Sequence, residues 1–219
     1  MSDTLTLSSL PLFPLGTVLY PGGLLPLRIF EVRYLDMISK CHKSGAPFGV
    51  VALTEGSEVR KADNNQPGGD GFATEAFNAM GTLATITEYA NPQPGLLVVR
   101  CEGAQRFKIN NREKLKHGLW IADVERQAQD IEVSIPQDLQ ACADALGKLI
   151  KTLQQRGVAA DQMPVLPPYR LDDCGWVANR WSELLPIPLE LKQRLMVLDN
   201  PVVRLELISD ILERTGIAL

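Results

Sequence analysis

Much of what carries chemistry in other chains is scarce in these 219 residues. There are two histidines, His42 and His117, and four cysteines, Cys41, Cys101, Cys142 and Cys174. The cysteines lie far apart and form no C-x-x-C pair, and with two histidines they make no metal-ligand spacing. Metal and cofactor chemistry are therefore not expected. No G-x-x-x-x-G-K-[ST] phosphate loop occurs. The glycine-rich run Pro67-Gly68-Gly69-Asp70-Gly71 lacks the preceding strand, following lysine and helix start that would hold an anion, and reads as a surface loop. No apolar run approaches the roughly 18 residues of a membrane span. The opening MSDTLTLSSL lacks the basic stretch and apolar core of a signal peptide. Those absences lead us to expect a cytoplasmic protein with reduced thiols. A net charge of −4 and a pI near 5.3 disfavour nucleic acid and anionic membrane surfaces as partners.

What remains is ordinary globular composition, 45% hydrophobic and 22% charged, in a chain long enough to bury a core without staples. The most unusual stretch is residues 10–27, LPLFPLGTVLYPGGLLPL. Apolar runs this short, broken by proline and glycine, predict strand pieces at 10–15, 17–20 and 24–28, with Pro21-Gly22-Gly23 as a turn and residues 1–9 as a polar lead-in, frayed or an added edge. Pro11, Pro14 and Pro26 each remove a ladder donor, so these strands must be edges, bulged or short.

From Phe30 the period changes. Phe30, Tyr34, Met37, Ile38 and Cys41 share one helical face, with Glu31 in the first turn and Gly45 and Pro47 as the stop. FGVVAL at 48–53 reads as a strand buried on both faces. Residues 56–78 read as a long exposed loop. Strands are expected at 82–89, 96–101, 105–109 and 119–124, with Glu102-Gly103-Ala104 as a tight link. The first 130 residues thus resemble a strongly bent sheet or open barrel with one early helix. Beyond Ile135 the chain turns helical. Leu139, Cys142, Leu146, Leu149, Ile150 and Leu153 make an apolar stripe, Asp172 and Asp173 can cap the next helix, and Asn200-Pro201 opens the last. The class is α+β, divided into residues 8–131 and 132–219.

Several of these segments together resemble the N-terminal substrate-recognition domain of the Lon ATP-dependent protease family. They are LPLFPLGTVLYPGGLLPLRIFEVRY, FGVVAL, GTLATITEY, LLVVRCEGAQRFKI and the closing LPIPLELKQRLMVLDNPVVRLELISDILER. The resemblance covers roughly residues 8–214. It implies a PUA-like β pseudo-barrel followed by an α-helical bundle. A full Lon protease also carries an ATPase and a Ser-Lys peptidase domain. Neither activity can be carried onto a residue here, so the expectation is a standalone, non-catalytic form, an adaptor in protein quality control. Its expected partners are unfolded proteins or peptide segments, with a separate protease or chaperone as a further candidate. The alternatives are a PUA-like RNA-binding protein and an ATP-independent peptidase.

No nucleophile–base pair supports a peptidase. Cys41 and His42 are helix neighbours that point apart, and Ser182 or Ser209 with Lys192 would be mid-helix residues. Two groups remain as peptide-binding candidates. Arg28, Glu31, Arg33 and Tyr34 lie where the opening strands meet the first helix and could form a polar lip beside an apolar groove. Tyr169, Trp176 and Arg180 are residue types enriched in binding hot spots. Trp176 and Arg180, four apart, could be exposed together, whereas Trp181 falls on the core stripe. The expected ligand surface is an apolar cleft between barrel and helices, where a peptide adds to an unpaired strand edge.

Overall fold

The computed structural model describes residues 6–58 and 74–217. The run Pro67–Gly71 and most of the expected 56–78 loop lie outside those residues. Two compact units result. One comprises Met1–Pro21 with Leu25–Ala128, the other Gly22–Leu24 with Gln129–Leu219. The fold is α+β.

The first unit is a barrel. Its strands are β1 (Thr6–Leu15), β2 (Leu24–Ile29), β3 (Phe48–Glu55), β4 (Ala76–Gln93), β5 (Leu96–Lys114) and β6 (Trp120–Arg126). They follow the order β2-β5-β4-β3-β1-β6, and a further β5–β6 pairing closes five of them into a ring. β1 and β3 pair in parallel, whereas β1–β6, β3–β4, β4–β5 and β5–β6 are antiparallel. Among the described residues the one helix of this unit, α1 (Val32–Ser44), follows β2 directly.

Alternation along β1 shows why both faces of this opening segment are apolar. Leu10 and Leu12 point into a cluster with Val51, Phe77, Leu83, Phe107, Ala122 and Val124, drawn from all five ring strands. Phe13 and Leu15 point the other way, into a cluster with Tyr34, Met37, Ile38 and Cys41 of α1. A strand buried on both faces needs a continuous hydrophobic run rather than alternation. A bulge interrupts β1 between Leu7 and Leu10, where Ser9 takes a φ of 54°, and Pro11 and Pro14 lie beyond it, in register with Ile121 and Val51. Pro26 sits on β2, at the end of the strand order, where a lost donor costs no ladder bond to a second neighbour.

β1 begins at Thr6, so residues 6–9 of the lead-in are the added edge. Three expectations need correction. Residues 17–20 form no strand. They are held instead by burial of Val18, Leu19 and Tyr20 and by the Thr82 hydroxyl, which donates to the Leu19 carbonyl at 2.6 Å. The segments at 96–101 and 105–109 are one strand. Between Thr82↔Arg106 and Ala84↔Gly103 the register shifts by one residue, so Glu102-Gly103-Ala104 belongs to a bulged ladder, not a turn. Finally, Phe30 precedes α1 and is 56% exposed, and Glu31 is the N-cap, with no acidic residue in the first turn.

The second unit is a helical bundle. It contains α2 (Gln140–Gln155), α3 (Cys174–Leu184), α4 (Leu189–Val197) and α5 (Pro201–Arg214). Leu146, Val177, Leu205, Ile208 and Leu212 are fully buried in one cluster. The Asp173 side chain caps α3 by accepting from the Gly175 amide, and Asn200 caps α5 by accepting from Val202 and Val203. Trp181 is core, its Nε1 donating to the Cys142 carbonyl at 2.9 Å. The proline-rich connector after α2 contributes Met163 and Val165 to this core.

All four cysteines are free and buried. Burial, with a smaller contribution from Cys41, pushes the Cys101 thiol up to about 12. The native state therefore keeps this thiol protonated while the unfolded chain ionises it near the usual 8.5. Its stabilising contribution is intact below about pH 8.5 and declines as pH rises towards 12, by up to about 1.4 kcal/mol per pH unit. In urea titrations at pH 8 and pH 10.5, the wild type should lose more stability than Cys101→Ala. Equal losses would show that this thiol is not shielded.

Candidate functional site

Where β2 runs into α1, the barrel unit forms a pocket of about 190 Å³ with a mixed apolar and charged lining. Phe13, Leu15, Leu27, Ile29 and Tyr34 supply its walls, and Arg28, Glu31 and Glu58 supply charged groups. This volume is below the roughly 300–1,000 Å³ of pockets that enclose whole drug-sized ligands. It suits one large apolar side chain. Phe30 lines the same pocket and is 56% exposed; two residues on, Val32 is 74% exposed. On the far side of Val32 a second hollow of about 520 Å³ runs between α1, β1 and the β5–β6 hairpin, with Met37, Leu115 and Leu119 along it.

The corner is rigid beneath this surface. Tyr34, 2% exposed, stacks on Phe13 with ring centroids 3.9 Å apart and planes at 21°. The Arg33 guanidinium lies 4.5 Å from the Tyr34 ring centroid on the cation–π side. Arg33 also donates to the Gly118 carbonyl at 2.9 Å and to Glu75 Oε1 at 2.9 Å, and its Nε lies 3.3 Å from Glu31 Oε2. Trp120 Nε1 donates to Glu75 Oε2 at 3.0 Å. Burial works against the Arg33 charge. The Glu75 bond and the fields of Tyr34, Glu75 and Glu31 outweigh it and hold the guanidinium above its ordinary value. A charge so committed to internal partners is a support for the corner.

Of the first candidate group, then, Arg28, Glu31 and Tyr34 meet at one pocket, and Arg33 is turned inward at 6% exposure. This corrects the expectation of a four-residue polar lip: only Arg28 is exposed, and Glu31 is half-buried. The sequence pattern missed both Phe30, which helical spacing had placed on the buried face, and Val32, which it gave no role. Their signal is positional. Both flank the N-cap, outside the stripe that α1 buries.

In the bundle unit, Tyr169, Trp176 and Arg180 do come together. The Tyr169 and Trp176 rings meet edge-on at 6.4 Å, and the Arg180 guanidinium lies 5.9 Å from the Trp176 centroid. Arg180, however, is 1% exposed. It donates to the Gly22 carbonyl and pairs with Glu183, Nε to Oε2 at 3.0 Å. The expected joint exposure of Trp176 and Arg180 is thus corrected, because the arginine is consumed by internal acceptors. Tyr169 borders a shallow hollow with Ser134, Ile135, Gln140, Leu171 and Asp172. Among the described residues, no three His, Cys, Asp or Glu side chains gather to hold a metal ion. No described helix is long and apolar enough to cross a membrane.

Residues 9–214 match the ATP-dependent protease La (LON) substrate-binding domain. The chain belongs to this family. The structure of a Lon N-terminal domain protein from Xanthomonas campestris is similar, with a TM-score of 0.69 and 27% identity over 93% of this chain and 98% of that one. The N-terminal domain of a Lon protease from the Mycobacterium avium complex shares the fold at a TM-score of 0.53 and 15% identity, over 96% of this chain and 100% of that one. Two curated relatives are Lon protease 2 of Myxococcus xanthus, 24% identical over 216 residues, and the Lon protease of Anaeromyxobacter dehalogenans, 23% identical over 212 residues. Each match takes in 94% of this chain and 23% of the relative, so the chain spans about a quarter of their length. Membership makes the chain a substrate-recognition module related to ATP-dependent proteases. Residues 10–27 supply one wall of the pocket through Phe13, Leu15, Pro26 and Leu27.

Proposed function

We propose that this Lon substrate-binding-type chain captures exposed apolar segments of unfolded proteins, and that the corner between β2 and α1 is where they dock. The observation that carries this reading is a side-chain-sized pocket with Phe30, 56% exposed, in its lining, and Val32, 74% exposed two residues on, in the lining of the neighbouring hollow. Large apolar side chains exposed singly are normal; two of them two residues apart, one in a pocket and one in the next hollow, mark an interaction surface. Strand β2 ends the strand order, so among the described residues no strand pairs with its outer edge, and an added strand can. An extended segment can then gain main-chain hydrogen bonds along β2 while one side chain fills the pocket. Pro26 limits how many such bonds form, which makes the pocket the main source of affinity. The chain would act without catalysis, as an adaptor in protein quality control that presents captured segments to a separate protease or chaperone.

The test is binding of a fluorescent, permanently unfolded protein, followed by anisotropy. Wild type should bind, and Phe30→Ser with Val32→Ser should weaken binding about ten-fold or more, the scale of losing central interface anchors. Both residues are exposed, so thermal stability should hold. Absence of binding by the wild type, or equal binding by the double variant, would sink the proposal.

A further inference from the structure

We propose that the segments this corner selects carry a lysine or arginine close to their apolar anchor; this rests on the docking reading above. The charges around the pocket are not balanced. Glu31 and Glu58 line it together with one cation, Arg28. Behind them, Arg33 is shared between Glu31 and Glu75, at 3.3 Å and 2.9 Å. Glu75 is buried, its side chain 5% exposed, and is further occupied by Trp120 Nε1. Among the described residues the corner therefore holds three carboxylates against two guanidiniums, a net negative charge, and the two carboxylates that border the pocket are the outer ones.

Glu58 is placed rather than loose. Its Oε1 accepts the Gly16 amide at 2.6 Å, which fixes the carboxylate over the chain that leaves β1. A carboxylate can accept at about four lone-pair sites, so one amide leaves most of that capacity for a ligand. Glu31 is the N-cap of α1, but its side chain makes no cap bond. Its two contacts to Arg33, at 3.3 and 3.5 Å, are long for charge-assisted bonds. A cation arriving from a docked segment would find two carboxylates beside a low-dielectric apolar wall, where attraction exceeds that in open water. A carboxylate at the same place would meet like charge.

The discriminating experiment uses three fluorescent peptides with one identical Phe-centred apolar anchor, flanked by lysine, glutamine or glutamate. Partly exposed ion pairs contribute modestly, so the Lys-flanked peptide should bind about three- to ten-fold tighter than the Glu-flanked one at low salt. That ratio should shrink towards one at 0.5 M salt and in the Glu31→Gln/Glu58→Gln double variant. Equal affinities, or a ratio that survives both salt and the double variant, overturn the charge selection and leave the docking reading standing. Should the double variant fail to fold, the wild-type ratio and its salt dependence decide alone. If none of the three peptides binds, the docking reading falls, and the charge selection with it.

Discussion

Gly103→Ala is expected to destabilise the barrel by about 3 kcal/mol or more, the upper range for overpacking. A Cβ built at Gly103 would lie 2.1 Å from the Tyr20 carbonyl oxygen and 3.0 Å from Leu19 Cγ. The nearest atom is backbone, so no side-chain rotation relieves the clash. The Tyr20 segment is itself fixed, because Tyr20 is 0% exposed and the neighbouring Leu19 carbonyl accepts from Thr82. The register of β4 against β5 shifts at this same place, so β5 cannot slide away without breaking ladder bonds. Urea denaturation followed by circular dichroism measures the effect. A loss below about 1 kcal/mol would mean that residues 19–20 yield more readily than their burial implies. The site should suffer as well, since Leu15 lines the pocket at the start of that segment.

The other large effect is expected in the helical bundle. Arg204, 1% exposed, sits on α5 with Asp130 at 2.5 Å from its Nη1 and 3.2 Å from its Nη2. Asn179 accepts from Nη1 at 2.9 Å, and the Leu198 carbonyl accepts from Nη2. Asp130→Ala leaves a buried guanidinium with neutral acceptors only, and breaking such a pair costs about 3–5 kcal/mol. Replacing both partners by apolar residues, Asp130→Leu with Arg204→Met, should recover much of that loss, because the buried charge goes with its partner. Chemical denaturation of the three proteins distinguishes these outcomes. If the double variant is no better than Asp130→Ala, the cost comes from lost packing and not from the orphaned charge.

Legibility in the sequence depended on how local the determining physics was. Helix caps were readable because Asp173 and Asn200 act on amides two or three residues away. The buried strand 48–53 was readable because an unbroken apolar run has few other uses, and β3 indeed buries its first five residues. The Glu102-Gly103-Ala104 bulge was misread as a turn, because a glycine that admits a neighbouring backbone and a glycine that turns the chain look alike in one dimension. Phe30 was assigned to the core because helical spacing says nothing about where the N-cap falls. Arg33 and Arg180 were read as surface charges for the same kind of reason: what takes an arginine out of water is an acceptor distant in sequence, Glu75 and Gly118 for one, Gly22 for the other.

By itself, then, the sequence determined the α+β class, the helical second half, the absence of a phosphate-binding loop and the likeness to Lon substrate-binding domains, since each follows from composition or from short-range pattern. Tertiary structure decided that β5 closes the ring on β6, that β2 is left at the edge, and which of Arg28, Glu31, Arg33 and Tyr34 face a pocket. Strand partners and buried ion pairs join residues tens of positions apart, and only the folded chain brings those distances to a few ångströms.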